Sequence, residues 1–517
     1  MQSKGRTAPW WTGVLTGVLS AAAGVALATG LAALLTGVPS PIESVGNRAI
    51  DLTPRSLKEL AIRQFGTNDK PVLIAGVAVT LLVAAGVAGW IGLRRPRVAY
   101  GIFAALGLLA LTTAALDRTA TASRTLTLVP ALVTLAVSLG LLAVLLRTLE
   151  LAPRAGDDVS GSFDRRAFLR AVLGASAGIV LGGVVTKYLG KNAAADSRRA
   201  VRLPAAAEAA SAVPAGAQAD VDGVSRFITS NRDFYRIDTA LRVPQVPVEG
   251  YSLRIHGMVD RELNLSFRDL LKERLVERRI TLTCVSNEVG GPYVGNATWL
   301  GVPVRDLLAR AGVQSGADAV KTTSADDMTI GTPLSALTDE NRDALIAVGM
   351  NGEPLPLAHG FPVRMVVPGL YGYVSATKWL VDLEVTRFAD FKAYWTKRGY
   401  DAEAPIKMSS RIDVPTSFQT FPRDAVRVGG VAWAQNTGIE RVEVKVDDGA
   451  WQDVDLADED SVDTWRQWSW QWDDATEGSH QLTVRATDKN GTTQTSDRAR
   501  IAPDGSTGWH SVQFRVA

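Results

Sequence analysis

Reactive side chains are scarce in this sequence of 517 residues, and one of them is unique. Cys284 is the single cysteine; it follows the apolar run 280–283 and precedes the glycine pair 290–291. The end of a strand is a place where a functional thiolate could sit, although a lone cysteine is more often a small buried hydrophobic residue. One cysteine excludes an internal disulfide and any Cys₂ or Cys₄ metal or iron–sulfur site.

A second group of candidate residues is basic. His359 and Arg364 surround a glycine- and proline-containing turn before the apolar segment 365–368, and Lys378 follows shortly afterwards. Arginine and lysine beside such turns can bind a phosphate group. A solvated loop would carry the same residues, so the residue types alone leave both interpretations open.

The overall charge and the histidine count narrow the classes of function. Lysine plus arginine (55) and aspartate plus glutamate (53) leave a net charge of +2, which gives no reason to expect a nucleic acid partner. The four histidines all lie outside the long apolar runs, so the apolar part cannot hold a haem between two histidines of its own.

The chain that must position these residues begins with an apolar part, residues 1–190. A bilayer core needs about 20 apolar helical residues, and residues 1–190 are predicted to form an all-α transmembrane bundle of about five helices. The stretches are 11–36, 71–93, 98–116, 125–146 and the shorter, glycine-rich 171–186. Basic clusters lie before the first apolar stretch, between the second and third stretches, and between the fourth and fifth. By the positive-inside rule, these clusters place the N-terminus in the cytoplasm. Everything after about residue 190 is then extracytoplasmic. The loop between the first and second apolar stretches contains a predicted amphipathic helix at 53–66.

An export signal is predicted inside the chain. Arg165 and Arg166, followed by Phe168 and Leu169, resemble the twin-arginine signal, whereas a plain positive flank would need only the arginines. Such signals export folded proteins, which suits a cofactor inserted in the cytoplasm, and they imply the twin-arginine export machinery as a partner. The alanines at 193–195 could form a signal-peptidase site, but we expect the exported part to stay attached to the cytoplasmic membrane.

The exported half is predicted to contain a linker and two domains. Residues 191–224 are typical of a linker with little structure. Residues 225–405 mix strands (253–257, 279–284, 363–367, 379–385) with helices such as 304–311, an α+β pattern. Residues 406–517 alternate in period two at 441–447, 465–472 and 481–487, which predicts an immunoglobulin-like β-sandwich. The fold class is therefore multi-domain.

Five ordered segments give the exported half a family resemblance. They are TLTCVSN at 281–287, WLGVPVRDLL at 299–308, MNGEPLP at 350–356, HGFPVRMVVPG at 359–369 and KWL at 378–380. In this order and spacing they resemble the sulfite-oxidase family of molybdenum enzymes over most of 225–517. The resemblance implies a molybdenum–molybdopterin cofactor in 225–405, and a dimerisation-type sandwich, hence a homodimer.

The resemblance also implies roles for individual residues. Cys284 matches the metal's single protein ligand, and Tyr400 and Arg236 match active-site residues beside the metal. The cofactor-binding residues that it implies are Phe234, Tyr235, Arg236, Ser324, His359, Arg364 and Lys378. Ser324 is the loosest of these matches, because the loop around it is shorter than in the family's oxidases.

This sequence departs from the sulfite oxidases in its anion pocket. Glu288 and Val289 follow Asn287 where the oxidases have arginine, and 434–438 lack the arginine that the sandwich supplies. Of the three arginines that hold sulfite, only Arg236 has a clear counterpart. The sequence therefore favours a membrane-anchored oxidoreductase that transfers oxygen atoms outside the cytoplasmic membrane, as a reductase of small neutral oxides.

Two alternatives remain open at the level of the sequence. One is a sulfite-type oxidase with a rebuilt anion pocket, and the other is a non-enzymatic membrane scaffold with a degenerate cofactor domain. The favoured reductase and the alternative oxidase both need a small-molecule substrate and a separate redox partner: a quinone, a membrane redox protein or a soluble carrier.

Overall fold

A computed structural model describes residues 9–54, 57, 64–65, 69–120, 122–150, 165–190, 192–423 and 425–517. The chain divides into two compact units. The first comprises Met1–Ala193 and Asp238–Gln245, and the second comprises Ala194–Ile237 and Val246–Ala517.

The first unit is helical. Its helices are α1 Trp10–Leu34, α2 Pro41–Leu52, α3 Asp69–Gly92, α4 Pro96–Ala115, α5 Arg124–Glu150 and α6 Arg165–Val184, which continues into a π-helical turn, Val185–Leu189. Five of the described helices are long and apolar enough to cross a membrane, which is compatible with a membrane protein. Each of the five predicted apolar stretches overlaps one of them, because uncharged runs of this length have few other stable arrangements.

Helix α1 packs closely against α3 through small residues. A Cβ atom added to Gly17 would lie 1.9 Å from the carbonyl oxygen of Ala85, and one added to Gly89 would lie 2.2 Å from the carbonyl oxygen of Gly13. Glycine at these positions therefore lets the two backbones touch, as is common between helices in a bilayer.

Helix α2 is a difference from the sequence prediction, which placed no helix at 41–52. Its start carries a capping box: Ser40 Oγ accepts from the Glu43 N–H, and the Glu43 carboxylate accepts from the Ser40 N–H. Pro41 at the first position suits a helix start. The amphipathic helix predicted at 53–66 lies largely outside the described residues.

The short segment Asp238–Gln245 also belongs to the helical unit. Leu241 is 8% exposed and its side chain approaches Gly46 of α2. Asp238 forms an ion pair with Lys70, and Arg242 lies 3.9 Å from the Glu43 carboxylate. Apolar packing and paired charges together hold this segment in the first unit.

The second unit begins with helix α7, Ala193–Ala200, and residues 201–224 have almost no regular secondary structure. Backbone groups of these residues nevertheless bond to other parts of the second unit. The Ala207 N–H donates to Leu275 O at 2.8 Å, the Glu277 N–H to Glu208 O at 2.9 Å, and the Ala219 N–H to Gln467 Oε1 at 2.7 Å. The segment can stay irregular because its backbone groups find partners on neighbouring elements.

Two five-stranded sheets and four short helices form the middle of the second unit. The strands are β1 Ser252–Gly257, β2 Leu263–Ser266, β3 Val276–Thr283, β4 Val294–Pro303, β5 Ala319–Ser324, β6 Thr329–Pro333, β7 Leu345–Met350, β8 Glu353–Pro354, β9 Arg364–Val366 and β10 Leu380–Thr386. The helices are α8 Phe267–Leu270, α9 Val304–Ala311, α10 Leu334–Thr338 and α11 Gly372–Ser375. The sheet orders are β2-β1-β10-β5-β6 and β3-β4-β7-β8, with β9 paired to β7.

The C-terminal part is a β-sandwich. Its strands are β11 Ser409–Val414, β12 Thr420–Phe421, β13 Arg427–Trp433, β14 Ile439–Val446, β15 Gln452–Asp453, β16 Asp455–Leu456, β17 Arg466–Gln471, β18 Gly478–Asp488 and β19 His510–Val516. The sheets run β11-β13-β17-β16 and β12-β19-β18-β14-β15. Both sheets contribute to one core, including Val428 and Trp468 from the first and Val444 and Leu482 from the second, as sheets packed face to face do.

Candidate functional site

Cys284 lies where β3 ends and a closed loop begins. Its N–H donates to Tyr293 O at 3.0 Å, and its carbonyl oxygen accepts from the Asn287 N–H at 3.0 Å. The Asn287 side chain in turn accepts from the Tyr293 N–H at 2.8 Å. These bonds close the loop 285–293 at the position of the cysteine.

The environment of the Cys284 thiol acts on its pKa in both directions. The residue is 9% exposed, and this burial raises the pKa of the thiol above its usual value. The Ser286 N–H, 3.4 Å from the sulfur, and the Lys378 ammonium act to lower the pKa. The thiolate therefore has a hydrogen-bond donor and a cation beside it.

Aromatic rings line the neighbourhood of this thiol. Phe234 and Tyr235 are stacked with ring centroids 5.2 Å apart, and Phe234 also meets Trp299 edge to face at 5.8 Å. Burial raises the pKa of the Tyr235 hydroxyl, and a charged Cys284 raises it further. The tyrosine is therefore a neutral hydrogen-bonding group close to the cysteine.

His359 is held neutral among cations. It is 5% exposed, and burial, followed by the charges of Arg364, Lys378 and Arg236, lowers its pKa to about 4. One ring nitrogen lies 3.1 Å from the carbonyl oxygen of Asn231, so this nitrogen carries a proton and the neutral ring is a donor there. Its ring meets Phe234 edge to face at 5.6 Å, which joins the basic group to the aromatic one.

Arg364 and Lys378 are fixed by backbone carbonyls and ring faces. Arg364, which is 4% exposed, donates to His359 O at 3.1 Å, and burial lowers its pKa to about 10. Lys378 donates to Ala358 O at 3.3 Å and lies 4.8 Å from the centre of the Trp379 ring. Arg364 therefore stays charged near neutral pH.

Tyr400 packs against Tyr373, which lies two residues after Tyr371 in the chain. Tyr400 is 5% exposed, and its ring lies 5.3 Å from that of Tyr373. Tyr371 and Tyr400 both influence the pKa of Tyr373, which is raised mainly by burial. Burial, with contributions from Asp504 and Cys284, raises the pKa of Tyr371 to about 12.

Ser324 is placed at the margin of the group. It pairs with Leu380 across β5 and β10, two residues beyond Lys378. Its hydroxyl donates to the Asp326 carboxylate within its own turn. The hydroxyl is therefore engaged locally, in keeping with its loose match to the family.

The structure thus places Cys284, Phe234, Tyr235, Arg236, His359, Arg364 and Lys378 in one neighbourhood. Tyr400 packs on Tyr373, and Ser324 lies opposite Leu380, two residues beyond Lys378. Sequence reasoning assigned no place at the site to Tyr371, Tyr373 or Trp299, although Trp299 opens one of the five family segments. Tyr371 and Tyr373, which flank one glycine after β9, were a weak signal of a functional site, because tyrosines of an ordinary core occur at the same spacing. A thiol, a buried arginine, a half-buried lysine and a neutral histidine can together hold a metal through sulfur and a phosphate through the cations.

Comparisons with known proteins identify the domain in which most of these residues lie. Residues 240–395 match the model of the oxidoreductase molybdopterin binding domain. The mitochondrial sulfite oxidase of Rattus norvegicus is 30% identical over 288 residues, which cover 47% of this chain and 52% of that protein. An uncharacterized oxidoreductase of Bacillus subtilis, YuiH, is 34% identical over 150 residues, which cover 29% of this chain and 72% of that protein.

One solved structure shares the fold. The sulfane dehydrogenase SoxCD of Paracoccus pantotrophus aligns with a TM-score of 0.50 and 22% identity, covering 57% of this chain and 82% of that one. At this identity the likeness concerns the fold alone. The chain spans about half the length of the sulfite oxidases that it matches.

Proposed function

This chain belongs to the sulfite-oxidase-like family of molybdopterin-dependent oxidoreductases, and we propose that it is a membrane-anchored enzyme that transfers an oxygen atom outside the cytoplasmic membrane. One arrangement carries the proposal: the only thiol of the chain lies near the buried Arg364, the half-buried Lys378 and a set of aromatic rings. The chemistry of this donor set fits a molybdenum–molybdopterin cofactor. The thiolate is a ligand that molybdenum accepts, and the positive charges around His359 suit a terminal phosphate.

The residues would divide the work of holding this cofactor. Cys284 would supply the metal ligand, since a bound metal's own charge favours the thiolate over the buried thiol. Arg364 and Lys378 would bind the phosphate, and neutral His359 would add a hydrogen-bond donor without a further charge. Phe234 and Tyr235 would form the apolar side of the cofactor site, and their rings would exclude water from it. Ser324 would contribute at the edge only.

Two side chains would act on the substrate. When bound, the cofactor would supply the two-electron redox chemistry of oxygen-atom transfer. Tyr400 would donate its hydroxyl hydrogen to the oxygen of the substrate and so orient it. Arg236 would stabilise the negative charge that develops on this oxygen, because a preorganised donor contributes most where charge appears during the reaction. Burial of Tyr400 keeps bulk water away from its hydroxyl.

The residues around the pocket favour a small neutral oxide, such as a sulfoxide or an N-oxide, as substrate. Glu288 lies in the loop that follows Cys284, and its side chain is exposed. In the β-sandwich, the stretch 434–438 contains amide side chains and no arginine. Gln435 is buried and donates to backbone carbonyl oxygens of Thr281 and Asp463. A dianion would meet few cations here, while a neutral oxide needs none.

Membrane retention is supported by α7. Ala194 is fully buried in a cluster that also contains Phe234 and Trp299. The Ser197 hydroxyl is bound to the Glu249 carboxylate at 3.0 Å. A protein exported already folded would hide the alanines at 193–195 from signal peptidase. The catalytic part would then remain on the extracytoplasmic side, joined to the five apolar helices, and exchange electrons with a separate redox partner.

Metal analysis and a substrate screen test the proposal together. Full-length protein from cells that make the cofactor should contain about one molybdenum and one pterin per chain. With a reduced dye as electron donor, it should reduce sulfoxides or N-oxides. Cys284→Ser should lose both metal and activity, because an alkoxide is a much poorer ligand. Wild-type protein without molybdenum, or a fully active Cys284→Ser variant, would contradict the proposal.

One observation favours a second candidate, a sulfite-type oxidase with a rebuilt anion pocket. Arg398 stands two residues before Tyr400 and stacks on the Tyr394 ring with its guanidinium carbon 3.6 Å from the centroid. With Lys397 it would provide cations near the active-site tyrosine. Efficient sulfite oxidation by wild-type protein, lost in Arg398→Ala, would establish this candidate instead.

A further inference from the structure

The loop that follows Cys284 is bound from outside by the β-sandwich. Two of its carbonyl oxygens, those of Asn287 and Gly291, accept hydrogen bonds from sandwich side chains. The Ser506 hydroxyl donates to Asn287 O at 2.7 Å, and Arg411 Nη1 donates to Gly291 O at 3.1 Å. Both donors are buried, with Arg411 8% and Ser506 7% exposed.

Arg411 is itself fixed at every nitrogen. Its Nε donates to the Asp413 carboxylate at 2.6 Å, and its Nη2 donates to the Ser225 hydroxyl at 2.9 Å. The planar fork of an arginine holds three partners in fixed directions, which a lysine cannot do. The position of Gly291 is therefore set by a rigid group.

Steric contact adds a third constraint. Gly290 has φ +79° and faces the ring of His510, where an added Cβ would lie 2.2 Å from ring atoms. The ring is held in place because His510 Nδ1 accepts from the Ile412 N–H at 3.0 Å. The loop can neither shift towards the sandwich nor move away without breaking bonds.

We propose that Arg411 and Ser506 are positioning residues that fix the loop 285–293 and thereby the sulfur of Cys284. The Ser286 N–H that approaches this sulfur at 3.4 Å belongs to the loop, so its direction depends on the loop's shape. Hydrogen bonds around a ligating atom tune the metal that it binds. The sandwich then contributes to the redox centre without touching it. This inference rests on the proposed role of Cys284 as metal ligand.

The first test measures the loop itself, in full-length protein made without the cofactor. Because Cys284 is the only cysteine, alkylation by iodoacetamide at one fixed pH reports on that thiol alone. Arg411→Lys and Ser506→Ala should each raise the alkylation rate about tenfold, equivalent to about 1.4 kcal/mol of easier loop opening. Ser506→Ala removes a single hydroxyl and decides the matter if Arg411→Lys does not fold.

The sandwich offers matched controls. Arg485 makes a bidentate pair with Glu443 at 2.8 and 2.9 Å, and the Ser410 hydroxyl donates to Gln494 at 2.7 Å. Arg485→Lys and Ser410→Ala remove bonds of the same kinds whose partners, Glu443 and Gln494, lie outside the loop 285–293. Alkylation rates equal to those of the controls would overturn the inference.

The second test uses protein loaded with the cofactor. The positioning variants should keep their molybdenum content but shift the electron paramagnetic resonance signal and the reduction potential of the metal. The two controls should shift neither. Unchanged spectra and potentials would overturn the role at the metal. A wild-type chain without molybdenum would instead defeat the proposed function, while the alkylation test would still report on the loop.

Discussion

The guanidinium carbon of Arg364 lies 4.9 Å from the centre of the Trp299 ring, and the same group donates to the carbonyl oxygen of His359 at 3.1 Å. Among the residues that the structure describes, an indole face and backbone carbonyl oxygens thus hold this cation. A cation held in this way keeps its full charge for a ligand, whereas a carboxylate partner would neutralise it.

Arg364→Lys should therefore weaken retention of the cofactor although the charge is kept. A lysine offers neither the flat surface that stacks on Trp299 nor the fork that binds phosphate in two directions. Loss of one charge-assisted bond of about 1.5–3 kcal/mol predicts about 10- to 100-fold weaker binding. Molybdenum content after dialysis measures this. Arg398→Lys, also stacked on an aromatic ring, is the control for cofactor content, and equal losses in both variants would refute the prediction.

Acid should destabilise the second unit through two histidines. The pKa values of His359 and His510 are lowered to about 4, in each case first by burial. The unfolded chain takes up a proton as the pH falls below about 6.5, while the folded chain does so only near 4. The stabilisation is thus complete above the unfolded pKa and is lost on acidification, by about 2 kcal/mol for His359 between pH 7 and pH 5.

Denaturant unfolding of wild type and His359→Gln at pH 7 and pH 5 measures this dependence. The variant should lose less stability on acidification, because its amide does not titrate. His480→Gln serves as a control at a histidine placed in the sandwich near Asp447. An identical pH dependence in wild type and His359→Gln would contradict the predicted linkage.

Replacing Arg165 and Arg166 by lysine should leave the catalytic part in the cytoplasm while the first four apolar helices still insert. The substitutions keep both positive charges, so the charge rule for topology is satisfied and only recognition by the export machinery is lost. Protease added from outside should then fail to reach residues 220–517. Unchanged accessibility would indicate export by the general route.

Ala194→Asp should release the catalytic part from the membrane. The substitution places a charge at a position without solvent exposure, so α7 should detach, while the alanines at 193 and 195 still permit cleavage. Ala209→Asp, at an exposed position of the following segment, is the control. A shortened soluble form in the first variant alone is the expected immunoblot result; release of the wild type would refute retention.

Sulfite should be a poor substrate. Losing two cationic contacts would cost about 3–6 kcal/mol, or about two to four powers of ten in kcat/KM. Glu288→Arg combined with Val289→Arg should shift the preference towards sulfite, measured as the ratio of sulfite oxidation to sulfoxide reduction with artificial dyes. A ratio unchanged by the double substitution would show that these positions do not face the substrate.

The sequence predicted best those elements that a local pattern specifies. Uncharged runs are sufficient for the five long helices, and period-two alternation predicted β14 and β17 to within two residues at each end. Helix α9 was predicted at its observed bounds, Val304–Ala311. Helix α2 was missed although Ser40, Pro41 and Glu43 form a capping signature, because its polar residues resemble those of an ordinary outer loop.

The site was predictable only as far as family motifs reach. Cys284, His359, Arg364 and Lys378 lie in short segments with a recognisable order. Tyr371 and Ser506 lie outside those segments, and their contacts arise from tertiary folding. Ser506 reaches Asn287 across 219 positions of sequence, a separation at which residue types carry no local signal.

The segment Asp238–Gln245 has a consequence for how such a protein could evolve. The chain leaves the helical unit at residue 193, returns to it at 238 and leaves again after 245. A gene fragment encoding the second unit alone would therefore carry Leu241 and Asp238 without the partners that bury and pair them. The two units are interleaved along the polypeptide instead of being joined end to end. Recombination could not exchange one unit for another at a single junction, so we expect the pair to have been inherited together.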